Sequence, residues 1–266
     1  MGIHRFEKTI NKKTKVKKMH RFFISGSEAP YEIGDCIVIG GEDHDHLSKS
    51  LRMKTGESLV VCDRHQIEYV VVIRSVEKKQ TVTQVIEKRK NDSEPAISVV
   101  LYQAVAKGSK MEWIIQKSVE LGVDRIVPVI TKRCVASPKD GEKKRQRWQK
   151  IAVEGAKQSQ RGKVPQIEQP RDLEAVIGDD SFTVPNGVAA YEMEKSAGIK
   201  QWLKKRETER EFSVFIGPEG GFEKEEIEAM YQKKGIEAVG LGNRILRTET
   251  AGIAVLAMIM YEYEMN

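Results

Sequence analysis

The sequence predicts an α/β fold in which a small β-rich domain precedes a larger domain with a mostly parallel sheet. Residues 19–90 contain short β-branched or aromatic runs separated by Gly, Asp and Lys-rich turns, a pattern typical of a small β-barrel. From about residue 96, apolar runs of strand length alternate with amphipathic helical patterns, which is typical of a parallel sheet. A chain of 266 residues can form a core in each of two such domains.

The N-terminal domain is predicted to contain five short strands and one helix. The strand runs are HRFFI, DCIVIG, ESLVVCD, IEYVVVIRSV and TVTQVIE. Between the second and third runs, DHDHLSKSLRMKTGE has the pattern of a short helix that Gly56 ends. In that helix His46, Lys49 and Ser50 fall at i, i+3 and i+4, so they share one polar face.

The C-terminal domain is predicted to alternate strands and helices to its end. It begins with the strand AISVVLYQAV, the helix SKMEWIIQKSVELG and the strand RIVPVI. The elements predicted after these are a basic helix at 141–160, a helix near 171–177, the strand GVAAY, a helix near 196–206, the strand EFSVFIG, a helix at 223–234, the strand EAVGL and a helix from 250 to about 263. Thr248 or Thr250 is the predicted cap of the last helix.

The positive charge of the chain is concentrated in its first 18 residues. They hold seven Lys/Arg and one Glu, which accounts for the whole net charge of +6. We expect residues 1–18 to form a flexible basic arm, with Met19 as an alternative start of the protein. The rest of the chain is therefore formally neutral, so a nucleic-acid site in the folded part requires a local cluster of Lys and Arg side chains. Residues 139–163, with nine Lys/Arg against three acids, form such a cluster.

Several functional classes are disfavoured by what the sequence lacks. Cys36, Cys62 and Cys134 are widely spaced and form no CxxC motif, so we expect reduced thiols in a cytoplasmic protein. No apolar run is long enough to span a membrane, and the basic start is not followed by a signal-peptide core. No HExxH, DxDxDG or Cys/His cluster predicts a metal site. All five histidines lie at or before position 65, so the C-terminal domain has no imidazole for a Ser-His-Asp triad.

A glycine-rich turn, FIGPEGGF at 215–222, follows one predicted strand. It lacks the Lys-Ser/Thr of a phosphate loop and the spacing of GxGxxG. Gly220 and Gly221 permit positive φ and close approach of the backbone to a ligand. The acids at and after the turn, Glu219 and Glu223 among them, would oppose bound phosphate. The turn therefore predicts a neutral or cationic ligand that backbone groups hold.

A second glycine-containing loop lies in LGNRILRTETAGIAVLAMIM at 241–260. The preceding strand ends at Leu241, Gly242 makes the turn, and a polar RTET segment leads into an apolar helix. Two such loops at the carboxyl ends of consecutive strands mark the usual ligand crevice of an open α/β sheet. Together they suggest a cofactor that carries its own chemistry, with the protein supplying orientation and charge.

The paired loops closely resemble the SPOUT superfamily of RNA methyltransferases, and within it the ribosomal RNA small-subunit methyltransferase E family, which methylates N3 of a uridine in 16S rRNA. The segments MHRFFI, HLSKSLRMKTGE, KMEWIIQKSVELGVDRIVPVITKRCV and WQKIAVEGAKQSQR also match, so the resemblance runs from Met19 to the C-terminus. It implies a trefoil-knotted α/β domain at 96–266 that binds S-adenosylmethionine, and a PUA-like β-barrel RNA-binding domain at 19–90. It also implies a homodimer that acts in the cytoplasm on 16S rRNA of the small ribosomal subunit. Residues 1–18 precede the position at which sequences of this family usually begin.

The resemblance also implies which residues bind the cofactor. They are Gly217, Pro218, Glu219, Gly220, Gly221, Leu241, Gly242, Ile245, Leu246, Arg247, Thr248 and Thr250, with Tyr191 and Glu192 as contributors from a third strand. For catalysis we hypothesise that Arg247 stabilises the uridine anion and that Glu249 or Glu219 is an acid/base or positioning group. The alternative is that these residues only brace the loops.

Clustered basic and polar side chains predict an RNA-binding surface. Its candidates are His20, Arg21, His46, Lys49, Arg52, Arg147, Lys150, Lys157, Gln158 and Arg161. Because N3 lies on the Watson–Crick edge, the base must be unpaired or flipped out when it is modified.

Two other functions fit part of these patterns. A SPOUT enzyme acting on tRNA or large-subunit rRNA would keep the cofactor loops but change the N-terminal domain, and the HRFFI and HLSKSLRM matches argue against it. A non-enzymatic ribosome-assembly protein could bind RNA through the barrel and the basic helix, yet would have no reason to keep both loops. If this chain failed to bind S-adenosylmethionine, the interpretation as a ribosome-assembly protein would be favoured.

Overall fold

The computed structural model describes residues 19–24, 30–63, 65–135 and 140–264. The predicted basic arm, residues 1–18, lies outside the described residues. The described chain forms two sheets, one of five strands and one of seven.

The N-terminal sheet contains the five predicted strands. Their bounds are β1 Arg21–Phe23, β2 Cys36–Gly40, β3 Ser58–Cys62, β4 Ile67–Val76 and β5 Gln80–Lys90. They hydrogen-bond in the order β1-β3-β4-β5-β2, with β1 and β3 parallel and the other pairs antiparallel. Ile37 and Ile39 of β2 are buried in a common core, while Val38 between them is 53% exposed, as the alternation of a half-buried strand requires. Closure into a PUA-like barrel stays a prediction.

The predicted helix of the N-terminal region is shorter than its sequence pattern. Helix α1 covers Gly41–Asp45 and continues as a π-helical turn, His46–Ser50. Within this turn Ser48 Oγ donates a hydrogen bond of 2.8 Å to the carbonyl of His44. Arg52 then adopts a left-handed φ of 52°, which ends the helical path before Gly56.

The C-terminal sheet alternates with helices, as predicted. Its strands are β6 Ser98–Ala104, β7 Arg125–Ile130, β8 Gln166–Ile167, β9 Arg171–Asp172, β10 Gly187–Ala190, β11 Glu211–Ile216 and β12 Glu237–Val239. The helices are α2 Lys110–Glu120, α3 Gly141–Gln158, α4 Leu173–Gly178, α5 Ile199–Lys204, α6 Lys224–Lys234 and α7 Thr248–Tyr263. The strand order is β12-β10-β11-β6-β7-β8, with β9 also paired to β7. All of these pairs are parallel, so the α/β prediction is confirmed.

Helices cover both faces of the C-terminal sheet. In β6, Val99 and Leu101 belong to one buried cluster, and Val100 and Tyr102 belong to the other. This explains why the strand reads as a continuous apolar run instead of an alternating one. The strands β8 and β9 were missed by sequence analysis because two residues carry no periodic pattern. The trefoil knot stays a prediction.

Buried charges join the two sheets. Arg161, only 2% exposed, donates to both carboxylate oxygens of Glu94 at 3.0 and 2.7 Å. Arg21 is 9% exposed; it pairs with Glu68 at 2.6 Å and donates to the carbonyl of Arg161 at 3.1 Å. Both guanidinium groups are enclosed and paired, so they are not available to a phosphate at the surface. The prediction that Arg161 and Arg21 bind RNA is corrected accordingly, because their charge is used within the fold.

Candidate functional site

The candidate site is a cleft at the carboxyl edge of the parallel sheet. β10 lies between β11 and β12, so the loops that follow these three strands meet there. Two adjoining depressions have cavity volumes of about 70 and 360 Å³, and the larger one is within the size range of small-molecule sites. The lining residues are Ala190, Tyr191, Glu192, Lys195, Ile216, Gly217, Pro218, Glu219, Gly221, Gly240, Leu241, Gly242, Asn243, Arg244, Ile245, Leu246, Arg247, Thr248 and Ala251.

Most of the predicted cofactor residues therefore lie in one cleft, although they come from three separate loops. Gly220 and Thr250 are not among its lining residues. Gly220 instead accepts a hydrogen bond of 2.8 Å from Arg133 through its carbonyl. Thr250 is exposed on the first turn of α7. Lys195, Asn243 and Arg244 line the cleft but were missed by sequence analysis, because isolated polar residues in loops carry no distinguishing pattern.

The loop at residues 217–221 depends on the conformation of Gly221. This glycine has φ of +72°, and its N–H donates to the carbonyl of Pro218 at 3.0 Å. A Cβ at this position would lie well inside van der Waals contact with the carboxylate of Glu192, from the loop after β10. The two loops can approach this closely because residue 221 has no side chain.

Gly221→Ala is therefore expected to destabilise the protein by about 1–3 kcal/mol, since it forces an alanine into a left-handed φ, whereas the flexible Glu192 side chain can move away from the new methyl group. Gly178→Ala is the matched control: its Cβ would meet no atom within 4 Å, and it lies in the last turn of α4. We expect the control to be neutral or slightly stabilising. Urea unfolding of both variants measures the difference, and equal midpoints would contradict this account of the loop.

Two of the acids after the glycine turn serve the structure. Glu223 and Glu226 form a capping box at the start of α6, and Glu226 also accepts from the N–H of Lys132 at 2.8 Å. Arg133 donates to both oxygens of Glu223 at 2.8 Å and holds the pKa of that carboxyl below its usual value. Arg133 was missed by sequence analysis, since its partners lie about 90 residues away. These contacts brace the glycine turn from outside the cleft.

Thr248 connects the second loop to the first. The prediction that Thr248 or Thr250 caps α7 is wrong, because the N-cap is Arg247 and no side chain caps the helix. Thr248 is the first helical residue, and its hydroxyl donates to the carbonyl of Gly217 at 2.7 Å. The same hydroxyl accepts from the side-chain amide of buried Gln103 at 2.9 Å. The start of α7 is thus tied to the ends of both β6 and β11.

Lys110, a residue missed by sequence analysis, faces both predicted acid/base candidates. Its ammonium lies 3.0 Å from Glu219 Oε1 and 3.8 Å from Glu249 Oε2. Burial raises the pKa of Glu219. Hydrogen bonds from its own backbone N–H, from Lys110 and from the N–H of Lys107 lower that pKa by more than burial raises it, so the net shift is downward. Glu219 is therefore held as an anion beside the cleft.

Arg247 lies at the rim of the cleft with its side chain exposed. Among the residues that the structure describes, its guanidinium has no ion-pair or hydrogen-bond partner. The positive charge is thus available to a ligand, as the catalytic hypothesis requires.

The remaining RNA-binding candidates lie on the surface, and several are paired with acids. His20, His46, Lys49, Arg52, Arg147, Lys150 and Gln158 are exposed. Lys157 is half-buried, 3.2 Å from Asp43 and above the ring of Phe22. Lys150 of α3 pairs with Glu42 of α1 at 2.9 Å. These contacts bring α3 and α1 together, so the candidates from the N-terminal region and from α3 lie close to one another.

A metal-binding cluster and a membrane-spanning helix are both absent from the described residues. These residues contain no group of three or more His, Cys, Asp or Glu side chains that could hold a metal ion. Within the same ranges, no helix has the length and apolar character needed to cross a membrane. The three cysteines are free, and burial raises the pKa of Cys62 to about 12.

The cleft suits a ligand that is apolar in part and positively charged in part. Ile245 and Leu246 offer apolar surface, and the loops offer backbone groups. Glu192 and Glu219 add negative charge at the wall. The cleft also carries Lys195, Arg244 and Arg247, so the two carboxylates favour a cationic group only in their own vicinity.

The chain is similar to known RNA methyltransferases in sequence and in structure. Residues 93–260 match the family described as RNA methyltransferase domain. The ribosomal RNA small subunit methyltransferase E of Bacillus subtilis is 33% identical over 256 residues, which cover 93% of this chain and 98% of that protein. The Neisseria gonorrhoeae enzyme of the same name, solved bound to S-adenosyl methionine, has a TM-score of 0.79 at 28% identity and covers 92% of this chain and 98% of its own. A Legionella pneumophila methyltransferase in complex with bound SAM has a TM-score of 0.79 at 30% identity, covering 91% and 97%.

Proposed function

The chain belongs to the ribosomal RNA small subunit methyltransferase E family, and on that premise we propose that it methylates N3 of a uridine in 16S rRNA with S-adenosylmethionine as the methyl donor. The observation that carries this proposal is the cleft itself. Two glycine loops and a third strand end enclose a cleft whose lining includes the apolar side chains of Ile245 and Leu246 and the carboxylates of Glu192 and Glu219.

The residues of the cleft fit S-adenosylmethionine by their chemistry. When bound, this cofactor supplies a methyl group on a positively charged sulfur. Glu192 and Glu219 match that charge, while Ile245 and Leu246 match the apolar face of a nucleoside. Backbone groups of the loops at 217–221 and 241–246 supply hydrogen bonds without side-chain crowding, since Gly221 and Gly242 have positive φ.

The chain's own residues would align and activate the base. Methyl transfer to N3 requires loss of the N3 proton, and alignment of the reacting atoms supplies much of the acceleration. Arg247 at the rim stabilises the uridine anion through its unpaired guanidinium, and Glu219 or Glu249 accepts the proton. The Lys110 ammonium and the N–H of Lys107 hold the Glu219 carboxylate in place beside the cleft.

The finer features of the fold are part of the proposal. We assign residues 19–90 to a PUA-like barrel and 96–266 to a trefoil-knotted methyltransferase domain. The hydrogen bonds of Thr248 hold the start of α7 against the ends of β6 and β11. A homodimer is supported by exposed Trp113, Met258 and Tyr261 on α2 and α7, two helices that pack against each other. With the small ribosomal subunit as substrate, the place of action is the cytoplasm.

The proposed RNA surface combines the N-terminal sheet with helix α3. Its members are His20, His46, Lys49, Arg52, Arg147, Lys150, Lys157 and Gln158. Positive φ at Arg52 is uncommon for a residue other than glycine and suggests a functional constraint on where its side chain points. Phosphate contacts of this kind make affinity fall steeply as salt rises.

The proposed function is tested by incubating the protein with radiolabelled S-adenosylmethionine and small ribosomal subunits that lack the modification. The modified nucleoside is then identified by digestion and mass spectrometry. We expect label in N3-methyluridine of 16S rRNA. Label on another base would overturn the N3 assignment, and label in tRNA or large-subunit rRNA alone would overturn the substrate. Absence of cofactor binding would favour a non-enzymatic assembly protein.

A further inference from the structure

Lys110 occupies an electrostatically unfavourable place in its helix. It is the first residue of α2, where the positive end of the helix dipole disfavours a cation. Residues that break such local rules tend to lie at functional sites. The side chain of Lys110 leaves its own helix and reaches Glu219 in the loop after β11 and Glu249 in the first turn of α7.

We propose that Lys110 is a positioning residue that fixes the Glu219 carboxylate and aims it to accept the N3 proton of the uridine; this inference rests on the proposed function. The proposal also assigns the role of proton acceptor to Glu219 and not to Glu249. Glu219 lines the cleft, whereas Glu249 is not among the lining residues and braces the ammonium from the side of α7.

The contacts of Glu219 support this assignment. Its Oε1 accepts from the Lys110 ammonium at 3.0 Å and from the N–H of Lys107 at 3.3 Å. Both donors belong to the segment after β6, Lys107 in the loop and Lys110 at the start of α2, so neighbouring positions of one segment orient the carboxylate. An ionised carboxylate has about four lone-pair sites, and two bonds at Oε1 leave it acceptor capacity toward the cleft.

The surrounding charges explain why the lysine is needed. Across the shared ammonium lies Glu249, whose Oε2 is buried and has no hydrogen-bond partner among the described residues. Glu192 and Arg247 line the neighbouring cleft. Without Lys110, the partly buried Glu219 would lose its ammonium donor and keep Glu249 as a neighbour of like charge, and like charge and burial both favour the protonated form.

The proposed step balances in protons and electrons. The N3–H proton passes to Glu219, and the electron pair left on N3 forms the new bond to the methyl carbon. The bond between that carbon and the donor sulfur breaks, and its electron pair stays on sulfur. Glu219 then releases its proton to solvent, which returns it to the carboxylate form.

The test uses Lys110→Met, Lys110→Arg, Glu219→Gln and the double variant of K110M with E219Q. Lys117→Met is the matched control, because Lys117 lies on the same helix but outside the cleft. Its ammonium pairs with Glu120 at 2.8 Å. We expect K110M to lower kcat at pH 7.5 by about 10- to 100-fold and to move the acid limb of the rate profile to higher pH. K110R should restore the position of the limb, and K117M should match the wild type.

The double variant tests whether Lys110 acts through Glu219. If it does, K110M adds little to E219Q, because the lysine then has no carboxylate to position. Calorimetry at pH 8 should give a Kd of K110M for S-adenosylmethionine within about threefold of the wild-type value. That difference is smaller than the tenfold change in Kd that about 1.4 kcal/mol of binding free energy produces. Additive rate losses, an unmoved acid limb or loss of cofactor binding would each overturn the role of Lys110. A wild-type protein that transfers no methyl group at any pH would instead overturn the proposed function.

Discussion

Arg161→Met is expected to lower the free energy of unfolding by about 3–5 kcal/mol, the range for breaking a buried ion pair by removing one partner. The Arg161 guanidinium bonds Glu94 through two nitrogens and also donates to the carbonyls of Val119 and Val123 at 3.1 and 2.8 Å. Its removal leaves Glu94 buried, with the N–H groups of Gly162 and Lys163 as remaining donors. Hydrogen bonds in the native protein lower the pKa of Glu94 despite its burial, and the loss of Arg161 withdraws the strongest of them.

Urea unfolding measures this effect, with Lys150→Met as the control. Lys150 pairs with Glu42, but the two side chains are 69% and 86% exposed, so its loss should cost no more than about 1 kcal/mol. A double variant with apolar residues at 161 and 94 should be more stable than R161M alone, because no charge is then left unpaired. If R161M unfolds like the wild type but binds RNA weakly, the original prediction of an RNA contact at this residue was right.

Arg247→Ala is expected to reduce kcat for methyl transfer by about 10²- to 10³-fold, the usual loss when one group that stabilises developing charge is removed. Its guanidinium is exposed at the rim of the cleft, without a partner among the described residues. A charge with no structural partner can approach the uridine anion without first breaking an ion pair. The fold should tolerate the change, because Arg247 makes its helix contacts through the backbone: its carbonyl accepts from the N–H groups of Thr250 and Ala251 at 2.9 and 2.8 Å.

Single-turnover kinetics with a saturating methyl donor separates this effect from cofactor binding. Arg210→Ala is the control, since Arg210 precedes β11 at the opposite edge of the sheet and bonds the carbonyls of Glu207 and Glu209. R210A should react at the wild-type rate. Normal turnover by R247A would refute the catalytic hypothesis and leave Arg247 as a residue that only shapes the loop.

Much of the fold was predictable because its signals are local. The helices at 141–158 and 224–234 begin and end within two residues of their predicted bounds, since amphipathic periodicity and capping residues lie within the segments themselves. The strands β6 and β11 were equally clear as buried apolar runs. The strands β8 and β9 were missed because each has only two residues, too few to show a periodic pattern. Both strands form only because they pair with β7.

The candidate site divides in the same way. The glycine loops were recognisable because glycine and proline determine backbone conformation at their own positions, as positive φ at Gly221 and Gly242 illustrates. Lys110, Arg133 and Gln103 were missed because each contacts residues about 90 or more positions away in sequence. Their types alone are those of ordinary surface or strand residues.

By itself, the sequence determined the class of the fold, the two glycine loops and the absence of a phosphate-binding motif, since each depends on residue type and short-range spacing. Only the tertiary structure decided which charges are available. Arg161 belongs to the same basic cluster as Lys150, yet one is buried against Glu94 and the other is exposed. Whether a charged side chain binds a partner or holds the protein together depends on what surrounds it, and the residues that surround it come from distant parts of the chain.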